Sequence, residues 1–164
     1  MRHASPLIFA AFALAALPAA SQTAASKFPP RKPGWWRMAM TIRGAPQGPL
    51  HPTTYVCVGP GDRLNSPVGV HEPPNCPKKG AERISAGWRF QSECQVGAMM
   101  ISTEGTITGD LNSGYSVEVT TRMTPPPSPQ IGEINTHIDA RWLGACPAGK
   151  KPGDIQMDMH AGPH

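Results

Sequence analysis

The chain has 164 residues, with 20 prolines and 17 glycines. That load argues against a helical bundle and for short strands joined by loops. The net charge of +4 comes from scattered basic residues, Lys78–Lys79 and Lys150–Lys151 being the only adjacent lysines, so the clustered basic face of a nucleic-acid-binding protein is absent and no nucleic-acid partner is expected.

Residues 1–21 read as a signal peptide. Arg2 precedes the apolar run Leu7–Leu17, 11 residues long, which suits a secretory signal and is too short for a membrane helix of roughly 20 residues. Small residues follow, so cleavage is expected after Ser21 or as late as Ala25. No later run is apolar enough to span a bilayer, and a mature protein in the periplasm or secreted is expected, with no integral membrane segment. Residues 22–33 are a proline-rich lead-in that suits neither helix nor central strand.

Residues 34–154 read as a single β domain. In Gly34–Arg43, Trp36, Met38, Met40 and Ile42 share one face, while Trp35, Arg37, Ala39, Thr41 and Arg43 share the other, the period of a half-buried strand. Thr53–Val58 is a β-branched and aromatic strand. Residues 59–80 form a long Gly/Pro loop that holds Cys76. Gly87–Cys94 alternates again, with Trp88, Phe90, Ser92 and Cys94 on one side. Val96–Thr103 and Gly105–Leu111 read as two further strands, followed by an Asp-Leu-Asn-Ser-Gly turn. Tyr115–Met123 places Tyr115, Val117, Val119 and Thr121 inward. After a proline loop, Ile134–Gly144 places Ile138 and Trp142 inward. Residues 155–164 show no usable period and are expected as a flexible tail.

Seven strand candidates and no amphipathic helix predict an all-β fold. The expected form is a curved antiparallel meander sheet, as a half-open barrel or small sandwich with long Pro/Gly loops.

Four cysteines, Cys57, Cys76, Cys94 and Cys146, with no Cys-x-x-Cys spacing, read as disulfides of a small exported domain, not as a zinc or redox site. Three connectivities are open. The expected one joins Cys76 to Cys94 across a local loop and Cys57 to Cys146 between the early and last strands.

The stretches "RKPGWWRMAMTI", "TGDLNSGYSVEVTTRM" and "ARWLGACPAGKKPGDIQM", with the spaced cysteines, resemble the bacterial domain-of-unknown-function 3617 family over about residues 30–157. The resemblance implies an exported four-cysteine protein, mostly found in Gram-negative bacteria, and no established function. Trp35 stands where that family more often has Leu, and Arg37 where it more often has an acid; both lie on the outward phase of the first strand.

Three sets of residues carry candidate chemistry. Trp36, Trp88, Phe90, Tyr115 and Trp142 fall on inward phases, where they fill a core or line a cavity for an apolar ligand. Met157, Met159 and His160 have thioether and imidazole chemistry suited to copper, or are incidental residues of a frayed end. His137 and Asp139 share an outward face with Arg141, beside Glu118. A general base and its orienter have this composition, and so does a solvated charged face, which is the expectation because no nucleophile sits in a recognisable context. The leading expectation is therefore a non-enzymatic exported domain without a required cofactor. It would bind an apolar or amphiphilic ligand, or an envelope partner. Copper handling through the tail and hydrolysis are the alternatives.

Overall fold

The computed structural model describes residues 28–61 and 75–158. The expected signal peptide, most of the Gly/Pro loop and the last six residues lie outside them. Among the described residues there is no helix, and eight antiparallel strands form one open sheet in the order β3-β4-β5-β6-β7-β1-β2-β8. They are β1 (Gly34–Arg43), β2 (Thr53–Val58), β3 (Lys78–Ile84), β4 (Gly87–Val96), β5 (Met99–Asp110), β6 (Gly114–Thr124), β7 (Glu133–Gly144) and β8 (Ile155–Asp158). The all-β meander runs from β3 to β7, and β1 then inserts beside β7. Among the described residues the sheet stays open at β3 and β8, a single antiparallel sheet and not two packed ones.

The alternation places side chains as the two-residue period requires. On the inner face Trp36, Val117 and Ile138 are fully buried, and Met38, Phe90, Ile107, Tyr115 and Ala140 nearly so. These residues join Val56 and Val58 in one core cluster drawn from six strands, β4 to β2. A flat sheet with no second layer leaves such a face wet. Curling, together with a cover described below, encloses it.

Three elements depart from the sequence reading. Val96–Thr103 and Gly105–Leu111 are one continuous strand, β5. Gly105 is not a break: a Cβ there would collide with the Phe90 ring and the Glu118 carbonyl, so glycine makes room for an aromatic ring from the neighbouring strand. Lys78–Ile84 forms β3, where Lys78, Lys79, Glu82 and Arg83 are exposed. An edge strand buries too little to need an apolar stripe, and its charges discourage further pairing. Ile155–Asp158, expected as part of a flexible tail, forms β8 by pairing Val56 with Ile155 and Thr54 with Met157.

The cysteines pair as Cys57–Cys146 and Cys76–Cys94. Cys57 lies on β2, and Cys146 follows β7. Just beyond it the chain turns back, and the Cys57 N–H donates to the Asp154 carbonyl at 3.0 Å while Gly153 N–H donates to the Cys57 carbonyl at 2.8 Å. This docking delivers β8 to the edge of β2. Both bridges are consistent with an oxidising, extracytoplasmic compartment. No helix among the described residues is long and apolar enough to cross a membrane.

Candidate functional site

Residues 28–33 of the lead-in cross the inner face as a strap, a feature that proline content alone did not reveal. Phe28 meets Trp88 and Phe90 edge-on, with ring centroids 6.0 and 6.1 Å apart. Arg31 Nη1 donates to the Tyr115 hydroxyl at 3.2 Å, and burial pushes the pKa of that hydroxyl up against the opposing Arg31 charge. Lys32 Nζ lies 3.5 Å from the Trp142 ring centroid, a cation–π contact. The Lys32 N–H donates to the Leu111 carbonyl at 3.0 Å. Trp36 Nε1 donates to the Lys32 carbonyl at 2.8 Å, and Trp142 Nε1 to the Pro33 carbonyl at 3.0 Å.

The strap then enters β1 at Gly34, whose φ is +134°. A Cβ there would strike the Gly144 carbonyl and the Trp142 indole nitrogen, so the position requires glycine twice over. The Trp142 backbone N–H donates to the Ser113 carbonyl at 3.0 Å. Asp110 organises that turn by accepting from the Asn112 N–H at 2.9 Å and Ser113 Oγ at 3.0 Å, which holds its carboxyl below the ordinary 3.8. The Pro-Gly-Trp-Trp, Gly-Asp-Leu-Asn and Arg-Trp-Leu-Gly-x-Cys stretches thus meet at one end of the sheet.

The five inward aromatics are brought together there. Trp36 and Tyr115 touch at a ring separation of 5.4 Å, and both are buried, as is Phe90. Trp88 and Trp142 are half-buried against the same cluster. The space above Trp88 and Phe90 is filled by Phe28.

The outer face is polar and arranged in cross-strand rows. Arg122 bridges Glu104 at 2.6 Å and Glu133 at 2.9 Å. Asn135 first, then Arg122, holds the Glu133 carboxyl below its ordinary 4.5. Two rows toward the strap end, beyond the Thr120–Asn135 pair, His137 sits between two carboxylates: Nδ1 lies 2.6 Å from Glu118 Oε1, and Nε2 lies 3.0 Å from Asp139 Oδ2. Both ring nitrogens must donate, which only the imidazolium can do. Partial burial opposes its charge, but the hydrogen bonds to Asp139 and Glu118 outweigh it and raise the His137 pKa above the ordinary 6.5. Ser116 Oγ donates to Asp139 Oδ1 at 2.7 Å. That bond, then the contact with His137, holds Asp139 below its ordinary 3.8 despite burial.

The nearby serine therefore bonds the acid and not the imidazole, and neither ring nitrogen is left to take a substrate proton. A catalytic relay needs the opposite order. A shallow concavity of about 350 Å³ opens beside this row, lined in part by Ser113, Gly114, Ser116, Asp139 and Arg141.

The sign of these shifts predicts a pH optimum for their contribution to stability. The His137 contribution is complete below about 6.5 and is lost as pH rises through its raised value. Those of Asp139 and Glu133 are complete above 3.8 and 4.5 and are lost as pH falls through their lowered values. The contributions overlap between about pH 4.5 and 6.5. Urea midpoints at pH 5.5 and 9 are expected to fall more for the wild type than for His137→Gln. An equal fall in both would remove His137 from the balance.

Met157 lies on β8 and is 67% exposed. Met159 and His160 lie outside the described residues. Among the described residues no group of three or more His, Cys, Asp or Glu side chains is placed to hold a metal.

A family model described as "Protein of unknown function (DUF3617)" matches residues 31–146. Neither a curated protein nor a solved structure matches the chain.

Proposed function

The chain belongs to the DUF3617 family, whose function is unknown; from its own residues we infer that it is an exported, non-enzymatic β-domain that binds an apolar or amphiphilic ligand. The observation that carries this reading is Phe28. A ring from outside the sheet sits on Trp88 and Phe90, so the aromatic floor accepts an apolar ring, supplied here by the chain itself. The main-chain anchors of the strap lie at Lys32 and Pro33, four and five residues away. Lifting Phe28 breaks its ring contacts while those anchors and β1 stay in place. The two disulfides suit the periplasm or another oxidising space, and the doubly bonded His137 argues against hydrolysis.

Phe28→Ala in the mature protein is expected to raise the affinity for an apolar fluorescent dye, anilinonaphthalene sulfonate, several-fold and to quench tryptophan emission. Unchanged dye binding with an intact fold would reject the aromatic floor as a ligand site and leave an envelope protein partner as the remaining form of binding.

The exposure of Met157 favours one second reading, periplasmic copper handling by Met157, Met159 and His160, since thioether ligands suit copper(I). Met157→Ala with Met159→Ala is then expected to weaken copper(I) binding at least tenfold. An unchanged affinity removes that reading.

A further inference from the structure

At the strap end of the outer face, Arg37 on β1 and Arg141 on β7 are direct cross-strand partners. Directly opposed residues on one face have Cβ atoms roughly 4.5–5.5 Å apart, and like charges there are destabilising. Several charges elsewhere on this face are matched: Glu82 with Arg89, Lys78 with Glu93, and Arg122 with Glu104 and Glu133. Among the described residues, Arg37 and Arg141 have no such partner within salt-bridge reach.

The acids nearest along the sheet are engaged. Asp139 takes Ser116 and His137, Glu118 takes His137, and Asp110 caps its turn. Asp139 still feels the Arg141 charge at longer range.

On the Arg37 side of the pair, Trp35 stacks on Tyr55 at a ring separation of 5.8 Å and 12° between planes. Lys150 Nζ stands 6.0 Å from the Trp35 ring. Leu143, next to the Gly144 partner of Trp35 on β7, is 53% exposed.

We propose that Arg37 and Arg141, with Lys150 near the adjoining Trp35 ring, form a binding site for a phosphate-class anion on the outer face of β7 and β1. Guanidinium groups bind phosphate oxygens through paired N–H donors, and two of them offer more than one fork. The anion relieves the repulsion between the two arginines. The exposed Leu143 and the half-buried Trp35 add apolar surface next to the cations, suiting a phosphate that carries an aliphatic part. This site lies on the opposite face of the sheet from Phe28 and does not depend on that aromatic floor.

The test uses the mature protein with pyrophosphate, at an ionic strength matched with chloride, and reads affinity by calorimetry. The wild type is expected to bind, and Arg37→Gln with Arg141→Gln to bind roughly tenfold more weakly or worse. Arg43→Gln, the same charge change at the far end of β1, is expected to keep wild-type affinity. The double variant is expected to melt no lower than the wild type, because it loses a like-charge pair.

Sedimentation with phosphatidylglycerol vesicles, against phosphatidylcholine vesicles, separates the sources. Wild-type cosedimentation that the double variant loses assigns a lipid headgroup. Pyrophosphate binding without cosedimentation assigns a soluble phosphate ester. Equal pyrophosphate affinity in the double variant, or no binding of either probe by the wild type, overturns the proposal.

Discussion

Replacing Cys57 and Cys146 together by alanine is expected to lower the unfolding free energy by about 4–5 kcal/mol. The bridge spans 89 residues, and the chain-entropy estimate for a loop of that size reaches this range at 25 °C. A domain of this size is stable by only about 5–15 kcal/mol in total, so the variant sits near its unfolding threshold. Cys57 is 1% exposed, and its backbone holds both Gly153 and Asp154. The loss should therefore begin at β8, with Gln156 and Asp158 amides exchanging before those of β6. Urea unfolding of the oxidised wild type and the double variant measures the total, and hydrogen exchange locates its start. A loss below about 1 kcal/mol would mean that the unfolded chain is already restrained there, contrary to the chain-entropy argument. Removing Cys76 and Cys94 should cost less, since that bridge spans only 18 residues.

Trp36→Ala is the second large effect. The side chain is fully buried, packs on Tyr115 and donates its indole N–H to the Lys32 carbonyl at 2.8 Å. Removing it deletes a large apolar group, leaves a cavity and frees a strap carbonyl. Such truncations cost about 3–5 kcal/mol. Trp35→Ala, one residue away on the opposite face, should cost markedly less, because that ring is only partly covered. Chemical denaturation of the two variants side by side reads the difference. Equal costs would mean that the face assignment of β1 is wrong.

The pairing of these adjacent tryptophans shows how far local pattern reaches. Alternation assigned Trp36, Met38, Tyr115, Val117, Val119 and Ile138 to the buried face, and all six are buried. It failed at β3, where charges occupy a strand that needs no apolar stripe. It divided β5 into two strands before Gly105, where the glycine is the seat of the Phe90 ring. It failed at β8, because four residues forming an edge strand carry too short a pattern to recognise.

The candidate sites divide in the same way. The five inward aromatics were legible from phase alone, but the strap that covers them was not, since a proline-rich segment has no period that says where it lies. His137 and Asp139 were legible as neighbours on one face. Their locking by Ser116 and Glu118 depends on the register of β6 against β7.

By itself, then, the sequence determined the all-β class, the inward and outward sides of its main strands, and the availability of four cysteines for bridges. Those are local properties, set by the two-residue period of a strand and by composition. Only the tertiary structure decided that β1 lies between β7 and β2, that Phe28 covers Trp88 and Phe90, and that Arg37 faces Arg141. Register and strand order come from contacts between residues far apart in the chain, and a periodicity of two repeats identically in every register that preserves its phase.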